Sequence, residues 1–271
     1  MTSTTAEPRR RQAPAPGVVL VLAIVALAFL GLPLIGLLLA APWGQMTELL
    51  TTPAALEALR LSLVTSILAA ALAVVLGLPL AWLIARREFP GRNIVRGLVL
   101  IPLVLPPVVG GVTLLTAFGR RGLVGQYLFD WFGIQLPFST AGVVLAEAFV
   151  AMPFLVITVE GALRSIDPRF EEAARTLGAK PSRVLLRVTA PLIAPSLVAG
   201  ALLAWARALG EFGATITFAG NFPGVTQTLP LAVYSALEVS REEAIALSVV
   251  LLGISFAVLV SLRGRFLGGR G

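Results

Sequence analysis

Long apolar runs, separated by short polar segments, make up most of this sequence. Each run is close to the roughly 20 residues that an α-helix needs to cross a bilayer. The polar segments between them are rich in arginine, proline and glycine. The pattern predicts about six membrane-spanning helices, over residues 18–41, 61–85, 97–118, 140–159, 192–212 and 244–262. We therefore expect an all-α membrane protein.

Composition agrees with this pattern, because 57% of the 271 residues are hydrophobic and only 13% are charged. A soluble domain usually has about 25% charged residues. The first apolar run, residues 18–41, follows three arginines and could resemble a secretion signal. It is longer than the roughly 7–15 apolar residues of such a signal, so an uncleaved first span is favoured.

The arginines and the single lysine lie mainly on one predicted side of the membrane. Sixteen of these 21 residues flank the runs on the side that carries both termini, four lie on the other side, and Arg207 lies within a run. Positive residues concentrate on the cytoplasmic side. We expect a cytoplasmic tail over residues 1–16, a transmembrane domain over 17–265 and a second tail over 266–271. The bases read as topology signals in a lipid bilayer, with no nucleic-acid partner.

Several kinds of catalytic and binding site are excluded by composition. The chain has no histidine and no cysteine, which removes imidazole bases, thiol nucleophiles and thiolate metal sites. A phosphate-binding loop ends in Gly-Lys-Ser/Thr, and Lys180 in "GAKPS" does not match it. We expect a non-enzymatic chain with no metal or cofactor of its own. If ATP supplies energy, another subunit hydrolyses it.

Small residues and prolines mark how the predicted spans pack. Small residues recur every fourth position along two spans, which favours close helix packing in lipid. These residues are Ala69, Ala73, Gly77, Ala81 and Ala85 in the second span, and Ser196, Gly200, Ala204 and Ala208 in the fifth. Prolines in "LIPLVLPPVVGG" and "APLIAPS" indicate either kinked helices or helices broken beside a pathway.

One charged segment, the polar loop (residues 164–191), lies between the fourth and fifth spans. Asp167 can cap a short helix that begins at Pro168, Gly178 can end it, and Pro181 can start a second short helix. The first helix has one apolar face, formed by Phe170, Ala173, Ala174 and Leu177. This face must be buried against the chain's own span ends, the lipid surface or a groove on a cytoplasmic protein.

The segment "EAARTLGAKPSRVLLRVTAP" resembles the signature loop of ABC importer permeases. Matching positions are Glu172, Ala173, Ala174, Gly178 and Pro191, whereas Val188 and Ala190 depart mildly from the usual residues. The resemblance implies a type I importer permease in which the polar loop is the coupling loop. Its first helix, with Phe170 and Leu177, would dock into a cleft of a separate ATPase subunit that holds ATP and magnesium.

A second segment, "ARALGEFGATITFAGNFPGVTQTLPLAVYSALE" (206–238), resembles the molybdate permeases, with sulfate and thiosulfate permeases as close cousins. The resemblance implies a permease subunit of an ATP-driven molybdate importer in a bacterial-type inner membrane. Its partners would be a second permease copy, two cytoplasmic ATPase subunits and an extracytoplasmic oxyanion-binding protein. Tungstate carriers are not separated by this segment.

Polar residues within or near the fifth span are candidates for the pathway. Arg207 and Glu211 are four residues apart and can pair on a helix; the pair is either a structural lock or gate, which we favour, or a site where Arg207 attracts the anion. Hydroxyl and amide groups follow, and they are either oxyanion donors or, as we favour, parts of a solvated outer loop. These groups belong to Thr215, Thr217, Asn221, Thr226, Gln227 and Thr228.

Glu147 lies in the fourth predicted span. We expect it to be hydrogen-bonded inside the bundle, since an acid would repel an anion. A rival interpretation is an ion-coupled secondary transporter, which would need coupling carboxylates and internal repeats near mid-bilayer. Glu147 and Glu211 are the only carboxylates in these spans that keep it open, and the signature loop disfavours it.

Overall fold

The computed structural model of the chain describes residues 17–266, and in this range helices and loops are the only structure. The predicted tail over 1–16 and residues 267–271 of the second tail lie outside the described residues. The α-helices, in chain order, are α1 (Gly17–Leu39), α2 (Met46–Leu50), α3 (Pro53–Arg86), α4 (Arg92–Val104), α5 (Pro107–Phe118), α6 (Gly125–Phe132), α7 (Thr140–Ser165), α8 (Pro168–Thr176), α9 (Pro181–Val184), α10 (Ala190–Leu209), α11 (Gly213–Ala219), α12 (Leu229–Leu237) and α13 (Arg241–Phe266).

The described residues fall into two compact units, the first ending at Ala41 and the second beginning at Pro42. The first unit contains α1, a 23-residue apolar helix whose length suits a membrane span. In the second unit α3, α7 and the segment Pro181–Leu209 are also long and apolar enough to cross a membrane. The 26-residue helix α13 covers the sixth predicted span. The chain is thus a multi-pass, all-α membrane protein.

The third predicted span is broken into α4 and α5. Leu105 is extended between them, with φ −64° and ψ 133°, and Pro106 has ψ 134°. Each of these residues precedes a proline, which disfavours helical backbone at the preceding position. Of the two interpretations that the prolines left open, the broken helix is the one that the structure shows at this span.

The fifth predicted span begins earlier than expected. A π-helical turn, Leu185–Thr189, joins α9 to α10, so the predicted second short helix of the polar loop is continuous with the span. Pro191 has no N–H, and a proline ring clashes with the carbonyl four residues earlier, here that of Arg187. The wider turn accommodates the proline, with the Ala190 N–H bonded to the Leu185 carbonyl. Both predicted helices of the polar loop are present and begin at Pro168 and Pro181, but the prediction that the second one is short was wrong.

Helix α7 packs against both α3 and α10. The small residues predicted to line these contacts are buried, including Ala69 and Ala73 on α3 and Ala204 on α10. A Cβ at Gly77 would lie 3.0 Å from a methyl of Leu155, so the backbones of α3 and α7 approach as closely as a glycine allows. Close contact of this kind replaces the hydrophobic drive that lipid does not supply.

Candidate functional site

The polar loop holds α8 by capping interactions at both ends. A carboxylate oxygen of Asp167 accepts the Arg169 N–H at 3.0 Å, and Pro168 begins the helix, as predicted. At the other end Gly178 has φ +80°. The Gly178 N–H donates to the Arg175 carbonyl, and the next N–H, of Ala179, donates to the carbonyl five residues earlier. This double closure is a Schellman ending, which needs a residue that tolerates positive φ.

The predicted apolar face of α8 is exposed on the surface of the chain. Phe170 is 59% exposed and Leu177 is 87% exposed. Ala173 and the neighbouring Glu172 are also exposed, whereas Ala174 is half-buried. Pro191, the last of the resemblance positions, is exposed at the start of α10. Burial of Phe170 and Leu177 against the chain's own span ends, one of the options that the sequence left open, is not what the structure shows.

Another side of α8, about 100° round the helix from Phe170, carries Glu171, which faces the bundle. One carboxylate oxygen, Oε1, accepts hydrogen bonds from Arg86 Nη2 at 2.9 Å and from Thr189 Oγ1 at 2.9 Å. Oε2 lies 3.5 Å from Arg175 Nη2. The side chain of Glu171 is only 12% exposed. These contacts tie α8 to the end of α3 and to the π-helical turn, beside a cleft of about 540 Å³.

A second carboxylate of similar exposure lies near the end of α7. Glu160 Oε1 accepts hydrogen bonds from Arg96 on α4 and from Arg164 on α7, the latter at 2.9 Å. Its side chain is also 12% exposed. Like Glu171, Glu160 therefore pairs with one arginine four residues along its own helix and one on a distant helix. Unlike Glu171, it does not lie on α8.

Inside the bundle Arg207 and Glu211 form the predicted ion pair. Arg207 Nη2 lies 2.5 Å from Glu211 Oε2, and the carboxylate side chain is 1% exposed. The other oxygen of Glu211 accepts the Ala214 N–H at 2.8 Å. Glu211 lies between the end of α10 and the start of α11. It therefore neutralises Arg207 and accepts an N–H from the first turn of α11, where helix N–H groups have no partner in the helix itself.

Two helix breaks meet close to this pair. The first is residues 105–106 between α4 and α5, and the second is residues 210–212 between α10 and α11; together they form the break junction. A Cβ at Gly213 would lie 2.6 Å from Cβ of Pro107, and a Cβ at Gly111 would lie 2.5 Å from Cβ of Thr217. Both glycines thus allow α5 and α11 to pack in close contact. Non-helical backbone at membrane depth is tolerated only inside protein or beside a water-filled cavity.

Glu147 is hydrogen-bonded inside the bundle, as predicted. It is 1% exposed, and its Oε1 accepts a hydrogen bond from Thr65 Oγ1 on α3 at 3.0 Å. Its Oε2 has no hydrogen-bond partner among the described residues. The two buried carboxyl groups thus differ in their partners, since Glu147 has a hydroxyl group and Glu211 has a guanidinium and a backbone N–H.

The hydroxyl groups after Glu211 are not in a solvated loop, contrary to the favoured prediction. Thr215, Thr226 and Thr228 are each at most 1% exposed. Thr226 Oγ1 accepts the Phe222 N–H, and Asn221 Nδ2 donates to Ser235 Oγ at 2.9 Å. The segment folds back over the bundle because Gly220 and Gly224 adopt positive φ and Leu229 N–H donates to Ser62 Oγ on α3.

Sequence reasoning missed the contacts of Glu171 and Glu160. Each has an arginine at i+4, a spacing that indicates pairing on a helix and could have been found. Their other partners, Arg86 and Arg96, are 85 and 64 residues away in sequence. No local pattern connects residues at such separations, so only the fold brings them together.

Comparison with known proteins shows which family the chain resembles. Residues 73–268 match the family model described as binding-protein-dependent transport system inner membrane component. The molybdenum transport system permease protein ModB of Mycobacterium bovis is 46% identical over 243 residues, covering 90% of this chain and 92% of that protein. The sulfate transport system permease protein CysT of Escherichia coli K12 is 37% identical, covering 83% and 82%.

Solved structures show the same fold. A bacterial alginate ABC transporter, crystallised with an alginate pentasaccharide-bound periplasmic protein, contains a chain that superposes with a TM-score of 0.69. The sequence identity is 20%, and the match covers 94% of this chain and 95% of that chain. At this identity the likeness shows the fold alone. It agrees with the sequence prediction of an ABC importer permease fold.

Proposed function

Since the chain belongs to the binding-protein-dependent transport system inner membrane components, we propose that it is the permease subunit of an ATP-driven importer for molybdate. The permease would move the oxyanion inward from a separate binding protein, powered by a separate ATPase subunit. The observation that carries this proposal is the exposed apolar face of α8, held rigidly at both ends on a chain whose relatives are transport permeases.

The polar loop is the proposed contact with the ATPase. Phe170 and Leu177 are about two helical turns apart, and both are exposed, as is Glu172 on the same helix. An amphipathic helix that offers an apolar face to a groove is a common recognition mode. The apolar face needs burial, and the polar rim, with Glu172, would set the register. In this arrangement the polar loop is cytoplasmic and both termini share that side.

The proposed complex contains two permease copies, two ATPase subunits and an extracytoplasmic oxyanion-binding protein. One copy supplies one α8, so two copies would present two helices to an ATPase dimer. ATP-driven closure of the ATPases would bring the two polar loops together and open the bundle outward. Hydrolysis would reverse this change. The permease itself contributes no ATP site, and the ATP and magnesium would be held by its partners.

The break junction is the proposed pathway element. Broken helices packed against each other can open or close without unwinding a complete span, and broken helices line substrate sites in other transporters. Arg207 is neutralised by Glu211 at 2.5 Å, so it offers little free charge to a dianion. The pair therefore fits a lock or gate better than an anion site. Thr215 and Asn221 lie just beyond it, where their polar groups could contact a passing oxyanion.

Molybdate is favoured over sulfate by the similarity of the relatives. The molybdenum permease relative is 46% identical and the sulfate permease relative is 37% identical, at similar coverage of this chain. Molybdate, tungstate and sulfate are all tetrahedral dianions, so a pathway that lacks a tight site would select among them weakly. Selection would then belong to the binding protein. Sulfate or thiosulfate import and tungstate import are the alternatives.

Reconstitution tests the proposed function. The permease is purified with its cognate ATPase and placed in proteoliposomes with the binding protein outside and ATP inside. We expect molybdate uptake that needs ATP and the loaded binding protein, with competition by tungstate and little competition by sulfate. Uptake of sulfate without uptake of molybdate would change the proposed substrate, and the assignment as an ATP-driven importer would stand. Uptake driven by an ion gradient without the ATPase would overturn the proposal in favour of a secondary transporter.

A further inference from the structure

Glu171 links three helical elements at one end of the bundle. It lies on α8, and its Oε1 receives hydrogen bonds from Arg86, the last residue of α3, and from Thr189, the last residue of the π-helical turn. Both distances are 2.9 Å. Thr189 is 2% exposed. The closest backbone neighbours of α8 are α9 and the π-helical turn. A displacement of α8 therefore acts on α3 and on the π-helical turn through these contacts, in addition to its direct chain connection to α7.

The position of Thr189 gives the contact its importance. It ends the π-helical turn and immediately precedes α10, the span that leads to Arg207 and the break junction. A single π turn inside an α-helix is frequently found at functional sites. The turn contains one more residue per hydrogen-bonded loop than an α-helical turn, so it can absorb or release a small shift of register. Thr189 is thus the residue through which a displacement of α8 would act on α10.

We propose that Glu171 is a positioning residue that passes the displacement of α8 to α10 through Thr189. The inference rests on the proposed function, since it assumes that an ATPase moves α8. The exposed apolar face of α8 binds the moving partner, and Glu171, about 100° further round the helix, holds the bundle. Charged hydrogen bonds are directional and stronger than neutral ones, so the link transmits movement along α8 better than apolar contact alone would.

Glu160 provides a matched comparison within the same chain. Its side chain has the same 12% exposure, an arginine partner at i+4 and an arginine partner on another helix. It does not contact the π-helical turn among the described residues. Removal of its charge should therefore disturb packing to a similar degree while leaving the path from α8 to α10 intact.

The experiment compares four variants of the complete complex in proteoliposomes: T189V, T189S, E171Q and E160Q. Molybdate uptake and ATP hydrolysis are both measured with loaded binding protein, and their ratio is the readout. We expect T189V, which keeps the shape and removes the hydroxyl, to lower the ratio about five-fold, within the range of lost coupling contacts. T189S restores the donor and should stay close to wild type. The ratio of uptake to hydrolysis should also fall in E171Q, and it should stay at the wild-type value in E160Q.

Other outcomes have distinct meanings. If T189V and E171Q lower uptake and hydrolysis in equal proportion, or lower the amount of assembled complex with no change in the ratio, Glu171 is only structural and the inference is overturned. If T189V does not assemble, the ratio measured for E171Q decides. If the wild-type complex shows no ATP-dependent uptake, the proposed function fails before any variant is considered, and the inference fails with it.

Discussion

The break junction and the polar loop place charge and apolar surface in opposite ways. At the break junction the Glu211 carboxylate is buried, and it is paired with the half-buried Arg207 and with the Ala214 N–H of the same chain. On the polar loop two large apolar side chains, Phe170 and Leu177, are exposed on the surface of the chain. Burial of charge is costly unless it is paired, and exposed apolar surface often marks an interaction site. The Glu211 carboxylate thus finds its partners within the chain, whereas Phe170 and Leu177 are left without cover.

The largest effect is expected from removal of the ion pair between Arg207 and Glu211. R207A leaves the 1% exposed Glu211 carboxylate without its cation, and a broken buried pair costs about 3 kcal/mol or more. We expect a lower unfolding temperature in detergent and less assembled complex. The control is R207A/E211A, which removes both charges and should recover much of the loss. Equal stability of the single and double variants would show that the pair is not a lock.

The next effect sharpens the contrast at the polar loop. L177S should weaken ATPase binding about 30-fold, because losing a well-buried interface side chain costs about 2 kcal/mol. The unfolding temperature of the isolated permease should not change, since Leu177 is 87% exposed. L123S is the matched control, with a leucine 75% exposed outside the polar loop. Binding titrations of the ATPase check the prediction. A similar loss in both variants would argue against a specific α8 contact.

A smaller effect concerns the end of α8. G178A places a Cβ at φ +80°, which costs about 1–2 kcal/mol. We expect α8 to fray or tilt and ATPase affinity to fall several-fold. G161A is the control, because Gly161 lies in α7 with nothing within 4 Å of an added Cβ. That change should leave binding unchanged and stabilise the helix slightly. Unchanged binding by G178A would mean that the helix end is not part of the contact.

The smallest expected effect concerns the start of α8. D167A removes the carboxylate that accepts the Arg169 N–H at 3.0 Å, and a lost N-cap costs about 1 kcal/mol. We expect faster amide hydrogen exchange in the first turn of α8 and little change elsewhere. D167N, which can still cap, should exchange like wild type. Exchange that is unchanged in D167A would show that Pro168 alone holds the helix start.

Sequence reasoning succeeded where the signal lies within about ten residues. The cap at Asp167, the αL glycine at 178 and the pairing of Arg207 with Glu211 each depend on neighbours along the chain. For the third span the sequence left two interpretations open, a kinked helix and a broken helix. Consecutive prolines disfavour helical backbone, but they do not show whether packing keeps the two halves in one helix. The structure resolves it through extended Leu105.

What could not be predicted depends on distant residues. Helix α9 is continuous with α10 because the π-helical turn relieves the steric clash of Pro191. From the sequence alone, a proline at this position indicates the end of a helix. Thr215 and Thr228 are buried because their segment folds over α3, where Ser62 accepts the Leu229 N–H. Glu171 has one nearby partner, Arg175 at i+4, and one distant partner. Its partner Arg86 is 85 residues away.

The close approach of α3 to α7 limits how this bundle can move. Side chains of Leu155 and Val156 would lie 3.0 Å and 3.2 Å from a Cβ at Gly77, so side chains of α7 fill the space beside the α3 backbone and the two helices interlock. Sliding one past the other would require a jump of a full turn. We therefore expect α3 and α7 to move together as one rigid body during the transport cycle. Bending would then be concentrated at the proline and glycine interruptions, which act as its hinges.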